Sequence, residues 1–284
     1  MKPDARPTGT QAIERAILLM KLLTTRGQCG WGLTDLARRA GLEKATAHRI
    51  LGCLEHERLV ERDLKEHRYF PGPMLVELGV SVTPYPQLLA EARLACLRLA
   101  RSAAAGGAVG LFYLRSGSEA VVAVRSGPGC AETRRNLPDE EGLRRPLLMS
   151  AGGVAMLIAM PEDERAAMVE RNLREMALMG VPQPARFTDM LARGLALDYA
   201  ANLQDPHVGL NAFARCVFDA HGAPFGALAV AGAVTTLPTA AGARVARLLD
   251  EEARDLAIHA PQAQATRERG EQPLRARIAK VTRA

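Results

Sequence analysis

The chain has 284 residues, a net charge of +6, and 48% hydrophobic but only 4% aromatic residues. That length accommodates two ordinary domains, and the apolar share excludes a mainly disordered protein. The basic excess sits at the two ends: 13 Lys and Arg face 9 Asp and Glu in residues 1–71, and 6 face 2 in 261–284. A polyanionic partner at one end fits this asymmetry.

Residues 1–9 are polar, carry two prolines and are expected to be loose. Ile13, Ala16, Ile17, Met20 and Leu23 recur at three- and four-residue spacing, which predicts a helix over 11–25 with Thr10 as its cap. After a break at 27–32, a second helix is expected over 34–40, ended by Gly41 in a left-handed conformation. A third helix is predicted over 44–56. Residues 59–62 and 68–70 read as two short strands joined by the polar turn 63–67, and 74–81 suits a short linking helix. A long helix follows over 85–105, then strands over 108–115 and 120–125 about the turn Ser116-Gly117-Ser118, and a Gly/Pro-rich loop over 126–130. Helices are predicted over 150–160 and 162–172, with 176–184 undetermined, and a short helix over 188–193 ending at Gly194. Strands over 195–200, 209–219 and 224–233 and a closing helix over 238–260 complete the pattern. The order of elements indicates an α+β chain whose larger part is an antiparallel or mixed sheet with helical layers.

The second and third helices form a bihelical unit. Leu33, Leu36, Ala40, Leu42, Ala47 and Ile50 are apolar where such a unit needs a core, and the following strand hairpin supplies a wing. At about 100° per residue, Ala47, Ile50, Leu51 and Leu54 of the third helix cluster on one side. Ala45, Arg49, Gly52, Cys53 and His56 take the other, flanked by Thr46 and His48. A recognition helix needs one anchoring side, and an open side with small residues for close approach and a long cation for guanine or phosphate. Arg49 is therefore the leading candidate for DNA contact, with His48 beside it. Lys44, Ala45 and Thr46 lie at the helix N-terminus, where backbone amides favour phosphate. Arg38 and Arg39 on the preceding helix, and Arg62, Lys65 and Arg68 around the wing, are candidates for the DNA backbone.

With these residues in place, the chain resembles the isocitrate-lyase-regulator (IclR) family of bacterial transcription regulators. The resemblance runs over residues 10–260 and is carried by QAIERAI at 11–17, LTDLARRAGL at 33–42, KATAHRIL at 44–51, and Leu59-Val60-Glu61-Arg62-Asp63 with Arg68-Tyr69. CVFDAHG at 216–222 and ALAVAG at 227–232 match the family's last hairpin. It implies five segments: a flexible N-terminus (1–9), a winged helix-turn-helix (10–71), a linker helix (72–82), a GAF-like effector-binding domain (83–260) and a basic, disordered tail (261–284). It also implies a partly palindromic double-stranded operator, a homodimer or dimer of dimers, a small organic effector and control of a catabolic operon; the expectation of a cytoplasmic location comes separately, from the want of a membrane-length apolar run.

The effector end departs from the family pattern. In PLLMSAGGVA at 146–155, Leu148, Ser150 and Val154 stand where the family has His, Thr and Lys, and Ala229 and Ala231 stand where it often has Ser. The expectation is an effector more apolar or less charged than usual, such as an apolar or aromatic acid. The alternative is a degenerate pocket in a protein that acts through protein–protein contacts. Candidate effector contacts are Ser150, Ala151 and Gly153 at a helix start whose free amides suit a carboxylate. Asp198 and Asn202 are placed at a strand end and its loop, and Asn211, Phe213 and Cys216 on the next strand.

Other chemistries lack residues. The five cysteines and six histidines form no metal-ligand spacing, CxxC pair or nucleophile–base set. Gly106-Gly107 and Gly152-Gly153 lack the context of a phosphate loop, and Glu140-Glu141 and Glu251-Glu252 read as solvated charge. No apolar run approaches the ~18 residues of a membrane span. The expectation is a non-enzymatic regulator without a cofactor or metal and without a membrane partner.

Overall fold

The computed structural model describes residues 10–26, 29–82, 84–104, 107–137, 139–205 and 207–260; the expected loose N-terminus and basic tail lie outside them. The chain divides into two compact units, one of residues 1–83 with 140–144, the other of 84–139 and 145–284.

In the first unit, α1 (Gln11–Leu23), α2 (Leu33–Arg39) and α3 (Lys44–His56) surround a core of Leu19, Leu23, Leu36, Leu51, Leu54 and Val60. Leu19, Leu36 and Leu51 are wholly buried, each worth ~1.5–3 kcal/mol relative to exposure. Thr10 does not cap α1 through its side chain; its carbonyl accepts the Glu14 N–H instead. Gly41 has φ +63°, so the turn between α2 and α3 is made where a side chain would be strained. β2 (Val60–Arg62) and β3 (Arg68–Pro71) form the expected hairpin. A two-residue strand, β1 (Trp31–Gly32), pairs antiparallel with β3 and makes a three-stranded sheet in the order β1-β3-β2. Sequence reading missed β1 because a two-residue strand has no periodicity. α4 (Met74–Val80) follows the hairpin and buries none of its residues.

The second unit is built on a six-stranded sheet of order β6-β5-β4-β9-β8-β7. Its strands are β4 (Ala108–Ser116), β5 (Glu119–Ser126), β6 (Arg144–Pro146), β7 (Ala200–Leu203), β8 (Leu210–Phe218) and β9 (Pro224–Ala233). The β4–β5, β4–β9, β7–β8 and β8–β9 pairs are antiparallel. Helices cover both faces. α5 (Tyr85–Ala103) comes so close to one face that a Cβ on Gly110 would collide with the Cys96 backbone. α10 (Gly242–Ala257) lies beside it. α7 (Ala151–Ile158) covers the other face, where a Cβ on Gly152 would strike the Tyr113 ring. Gly110 and Tyr113 are of opposite parity along β4, so the two contacts are on opposite faces. α7 is apolar all round and buried from Ala151 to Leu157, as befits a helix enclosed between the sheet and α9 (Ala185–Leu197).

α8 (Glu162–Leu178) runs past residue 172, and Asn172 is a buried bracket inside it: its Oδ1 accepts the Leu148 N–H and its Nδ2 donates to the Ser118 carbonyl. α9 starts earlier and continues through Gly194 to Leu197, so the strand expected over 195–200 is helical at 195–197 and begins only at Ala200, as β7. The pattern misled because Leu195 and Leu197 are half-exposed on the helix surface. α6 (Ala131–Asn136) and β6 were missed, being short and polar. The α+β class with an N-terminal winged helix-turn-helix stands.

Candidate functional site

The first candidate site is the outer side of α3. Ala47, Leu51 and Leu54 anchor the helix, while Lys44, Ala45, His48, Arg49, Gly52 and Cys53 are exposed and Thr46 is half-buried. The α3 N-terminus has no side-chain cap from Glu43, which leaves its first amides directed outward. On α2, Arg38 and Arg39 are exposed, and Arg38 is ion-paired with Asp35 in the same helix.

The wing uses its cations unequally. Asp63 Oδ1 accepts the N–H groups of Lys65 (2.8 Å) and Glu66 (2.7 Å), which hold its carboxyl below the usual range and fix the turn, leaving Lys65 exposed at the tip. Arg62 is folded back, 3.2 Å from His67 Nδ1, with its guanidinium carbon 5.5 Å from the Tyr69 ring centre. Arg68 donates to the carbonyls of Cys29 (3.0 Å) and Gly30 (3.3 Å) and pairs with Glu66 at 3.3 Å. Arg62 and Arg68 are therefore committed to the wing's own structure, whereas Lys65, Arg49 and Lys44 point outward.

The second candidate site is a cavity on the α7 side of the sheet. Ser150, Ala151, Asn202 and Asn211 of the sequence candidates line it, together with Tyr113, Leu137, Asp139, Arg145, Met149, Asp205, His207, Leu210, Ala212 and Ala231. Its free volume is about 20 Å³, room for one water molecule. Arg145 pairs with Asp139 Oδ1 at 2.6 Å, and the Tyr113 hydroxyl donates to Asp139 Oδ2 at 2.9 Å. Burial, and then the Asp139 charge, raises the Tyr113 phenol well above its ordinary value, so it remains a donor. Burial also lowers His207, against the pull of Asp139, so that its neutral form is favoured. Asn202 is 8% exposed and its Oδ1 has no hydrogen-bond partner.

Gly153, Asp198, Phe213 and Cys216 lie outside this lining. Gly153 is buried in α7, and its N–H is not free for a ligand because Ser150 Oγ accepts it at 3.0 Å. Asp198 ends α9 in a left-handed conformation, with an 84% exposed side chain paired to Arg215 at 3.1 Å. Asn202 is inside β7, opposite Ala212, rather than in a loop. Phe213 is on the opposite face of the sheet, packed edge-on to Tyr199 in the core with α5 and α10. Cys216 lines an open hollow beside α10 with Phe218 and Asp250. Asn211 borders the cavity but gives its Nδ2 to the Leu237 carbonyl at 2.9 Å. Leu148, Val154 and Ala229 are core residues, so their loss of polarity does not change the cavity. Ala231, where the family often has Ser, does line the cavity, and Arg145, Asp139 and His207 lie at its polar end. Tyr113 was not among the sequence candidates, although it is the sole polar side chain in the run AVGLFYL at 108–114.

Among the described residues no helix is long and apolar enough to cross a membrane, and no group of three or more His, Cys, Asp or Glu is placed to hold a metal ion. Residues 12–64 match a family model described as the IclR helix-turn-helix domain, and residues 89–258 match one described as bacterial transcriptional regulator IclR C-terminal. The glycerol operon regulatory protein of Streptomyces coelicolor is 30% identical over 227 residues, covering 80% of this chain and 86% of the relative. A crystal structure of an IclR family transcriptional regulator from Brucella abortus is similar with a TM-score of 0.70 at 21% identity, over 92% of this chain and 96% of that one. Another, an IclR homolog from Microbacterium hydrocarbonoxydans complexed with 4-hydroxybenzoate, gives 0.61 at 18% identity, over 87% and 98%.

Proposed function

The chain belongs to the IclR family of bacterial transcription regulators, and from that premise we propose that it binds a partly palindromic operator as a homodimer or dimer of dimers and releases or tightens it in response to a small organic acid. Its relatives are regulators of transcription rather than enzymes. The observation that carries the reading is α3: a helix with Ala47, Leu51 and Leu54 buried and a face of Lys44, Ala45, His48 and Arg49 left open to solvent. Arg49 reads a base or phosphate from there, Lys44 and Thr46 hold phosphate at the helix start, and Lys65, Arg38 and Arg39 reach the flanking backbone.

Residues 10–71 serve as the DNA-binding domain, 72–82 as linker and 83–260 as the GAF-like effector domain of this cytoplasmic protein. A self-associating surface is supported by the exposed apolar side chains of α1 (Ile13, Ile17, Leu18) and α4 (Val76, Leu78, Val80). Two copies would set two recognition helices about 34–36 Å apart, one turn of DNA. The effector cavity supports an acid with an apolar body: Leu137, Met149, Leu210, Ala212 and Ala231 give the apolar wall and Arg145 a cation. The aromatic acid carried by the Microbacterium relative is of that kind.

The small volume of the cavity favours a second reading, in which the pocket has lost its ligand and the protein acts through protein contacts. Fluorescence anisotropy with the DNA upstream of its own gene, against random DNA of equal length across a salt series, tests the first reading. Preferential binding that weakens with salt supports it. A folded protein that binds neither fragment sinks it. An acid panel, 4-hydroxybenzoate included, that leaves operator affinity unchanged favours the second reading.

A further inference from the structure

The polar end of the cavity is arranged as a site for a carboxylate, and a carboxylate already fills it. One oxygen of Asp139 lies 2.6 Å from the Arg145 guanidinium and the other accepts the Tyr113 hydroxyl at 2.9 Å. Cation on one oxygen and neutral donor on the other is the way a bound organic acid is held. The setting is buried: the Arg145 and Asp139 side chains are 12% and 9% exposed, and Tyr113 is wholly buried. About 20 Å³ of free space remains, against the ~300–1,000 Å³ of pockets that hold small organic ligands. Asn202 Oδ1, unpartnered and buried, borders the same space as an unused acceptor.

We propose that Asp139 is an internal ligand: its side chain occupies the acid subsite formed by Arg145 and Tyr113, and an incoming organic acid binds by exchanging with it. The regulatory consequence rests on the effector reading above; the exchange itself does not. The wild-type protein then binds acids weakly, because only the fraction with Asp139 displaced is competent. Removing the Asp139 carboxylate strengthens acid binding, the reverse of what removal of an ordinary contact residue does. It also leaves Arg145 buried without a counter-charge, which destabilises the fold until an external anion replaces it.

The test uses the full chain and sodium acetate as the probe, with sodium chloride at equal ionic strength as control. Thermal unfolding is followed for the wild type, Asp139→Ala, Asp139→Asn and the double variant Asp139→Ala with Arg145→Ala. The two single variants are expected to melt below the wild type and to recover with acetate but not with chloride. Half of the recovery should come at an acetate concentration at least tenfold below any effect on the wild type, and the double variant should not respond. An equal acetate response in wild type and single variants, or one that persists without Arg145, overturns the proposal. If Asp139→Ala does not fold without acetate, its refolding yield against acetate concentration is the readout, and Asp139→Asn, which keeps the side-chain shape, repeats the test. Operator binding is not read, so a negative result leaves the regulator assignment untouched. Acetate exchange in a protein whose operator affinity ignores every acid would sink the effector reading and leave the exchange standing.

Discussion

The Ser150 hydroxyl oxygen accepts the backbone N–H of Gly153 at 3.0 Å and so closes the first turn of α7. Ser150 also borders the cavity, but its oxygen is already engaged in capping the helix. Ser150→Ala is therefore expected to cost about 1 kcal/mol of stability, the usual cost of losing such a cap. Urea unfolding measures it. An unchanged midpoint would mean that the first turn of α7 does not need its cap.

Asn172 ties α8 to two places at once, the Leu148 N–H at 2.8 Å and the Ser118 carbonyl at 2.9 Å, with none of its surface exposed. Asn172→Leu leaves the buried Leu148 N–H unpaired, whereas the Ser118 carbonyl keeps the Leu147 N–H at 3.0 Å. The expected loss is about 1–3 kcal/mol, the cost of one buried orphan, read as a lower denaturation midpoint with the slope unchanged. A shift under about 0.5 kcal/mol would show that the Leu148 N–H finds another partner.

The recognition unit was legible in the sequence because its pieces are local. The apolar spacing of α3 predicts its 44–56 bounds, Gly41 marks the turn, and the same spacing leaves Arg49 on the open side. The cavity was legible only in part: Ser150, Ala151, Asn202 and Asn211 were readable as candidates, but Tyr113, Asp139 and Arg145 join them only through the pairing of distant strands and the packing of α7. Phe213 shows the limit from the other direction. Its position on β8 beside Asn211 was readable, but which face of the sheet carries the cavity depends on where the helices pack.

Substitutions at Arg49 and Arg68 should separate DNA contact from wing structure. Arg49 is exposed on α3, so Arg49→Ala should weaken operator binding by about 1–3 kcal/mol if it reads a base, with the melting temperature hardly moved. Arg68 holds the carbonyls of Cys29 and Gly30 to β3, so Arg68→Ala should lower stability instead. Lys65→Ala at the wing tip should weaken binding to all sequences alike and reduce the salt slope by about 1. Anisotropy titrations at several salt concentrations, paired with thermal melts, check the three. Operator affinity unmoved by Arg49→Ala would remove that residue from the interface.

The thiols of Cys130 and Cys216 should differ in reactivity because their surroundings push them in opposite directions. Hydrogen bonding by Thr133, first from its side chain and then from its backbone N–H at 3.4 Å, lowers the Cys130 thiol below its ordinary value. Burial pushes the Cys216 thiol up to about 12, and the charge of Arg115 opposes this only in part. The thiolate is the nucleophile, so the rate follows the ionised fraction. As pH rises, Cys130 should pass into its reactive form ahead of an ordinary thiol, while Cys216 stays protonated well beyond it. Short pulses of iodoacetamide at stepped pH, followed by peptide mass spectrometry, resolve the two sites. Cys216 labelling as fast as Cys130 at neutral pH would mean that the hollow beside α10 admits water to the thiol and that its burial is not maintained in solution.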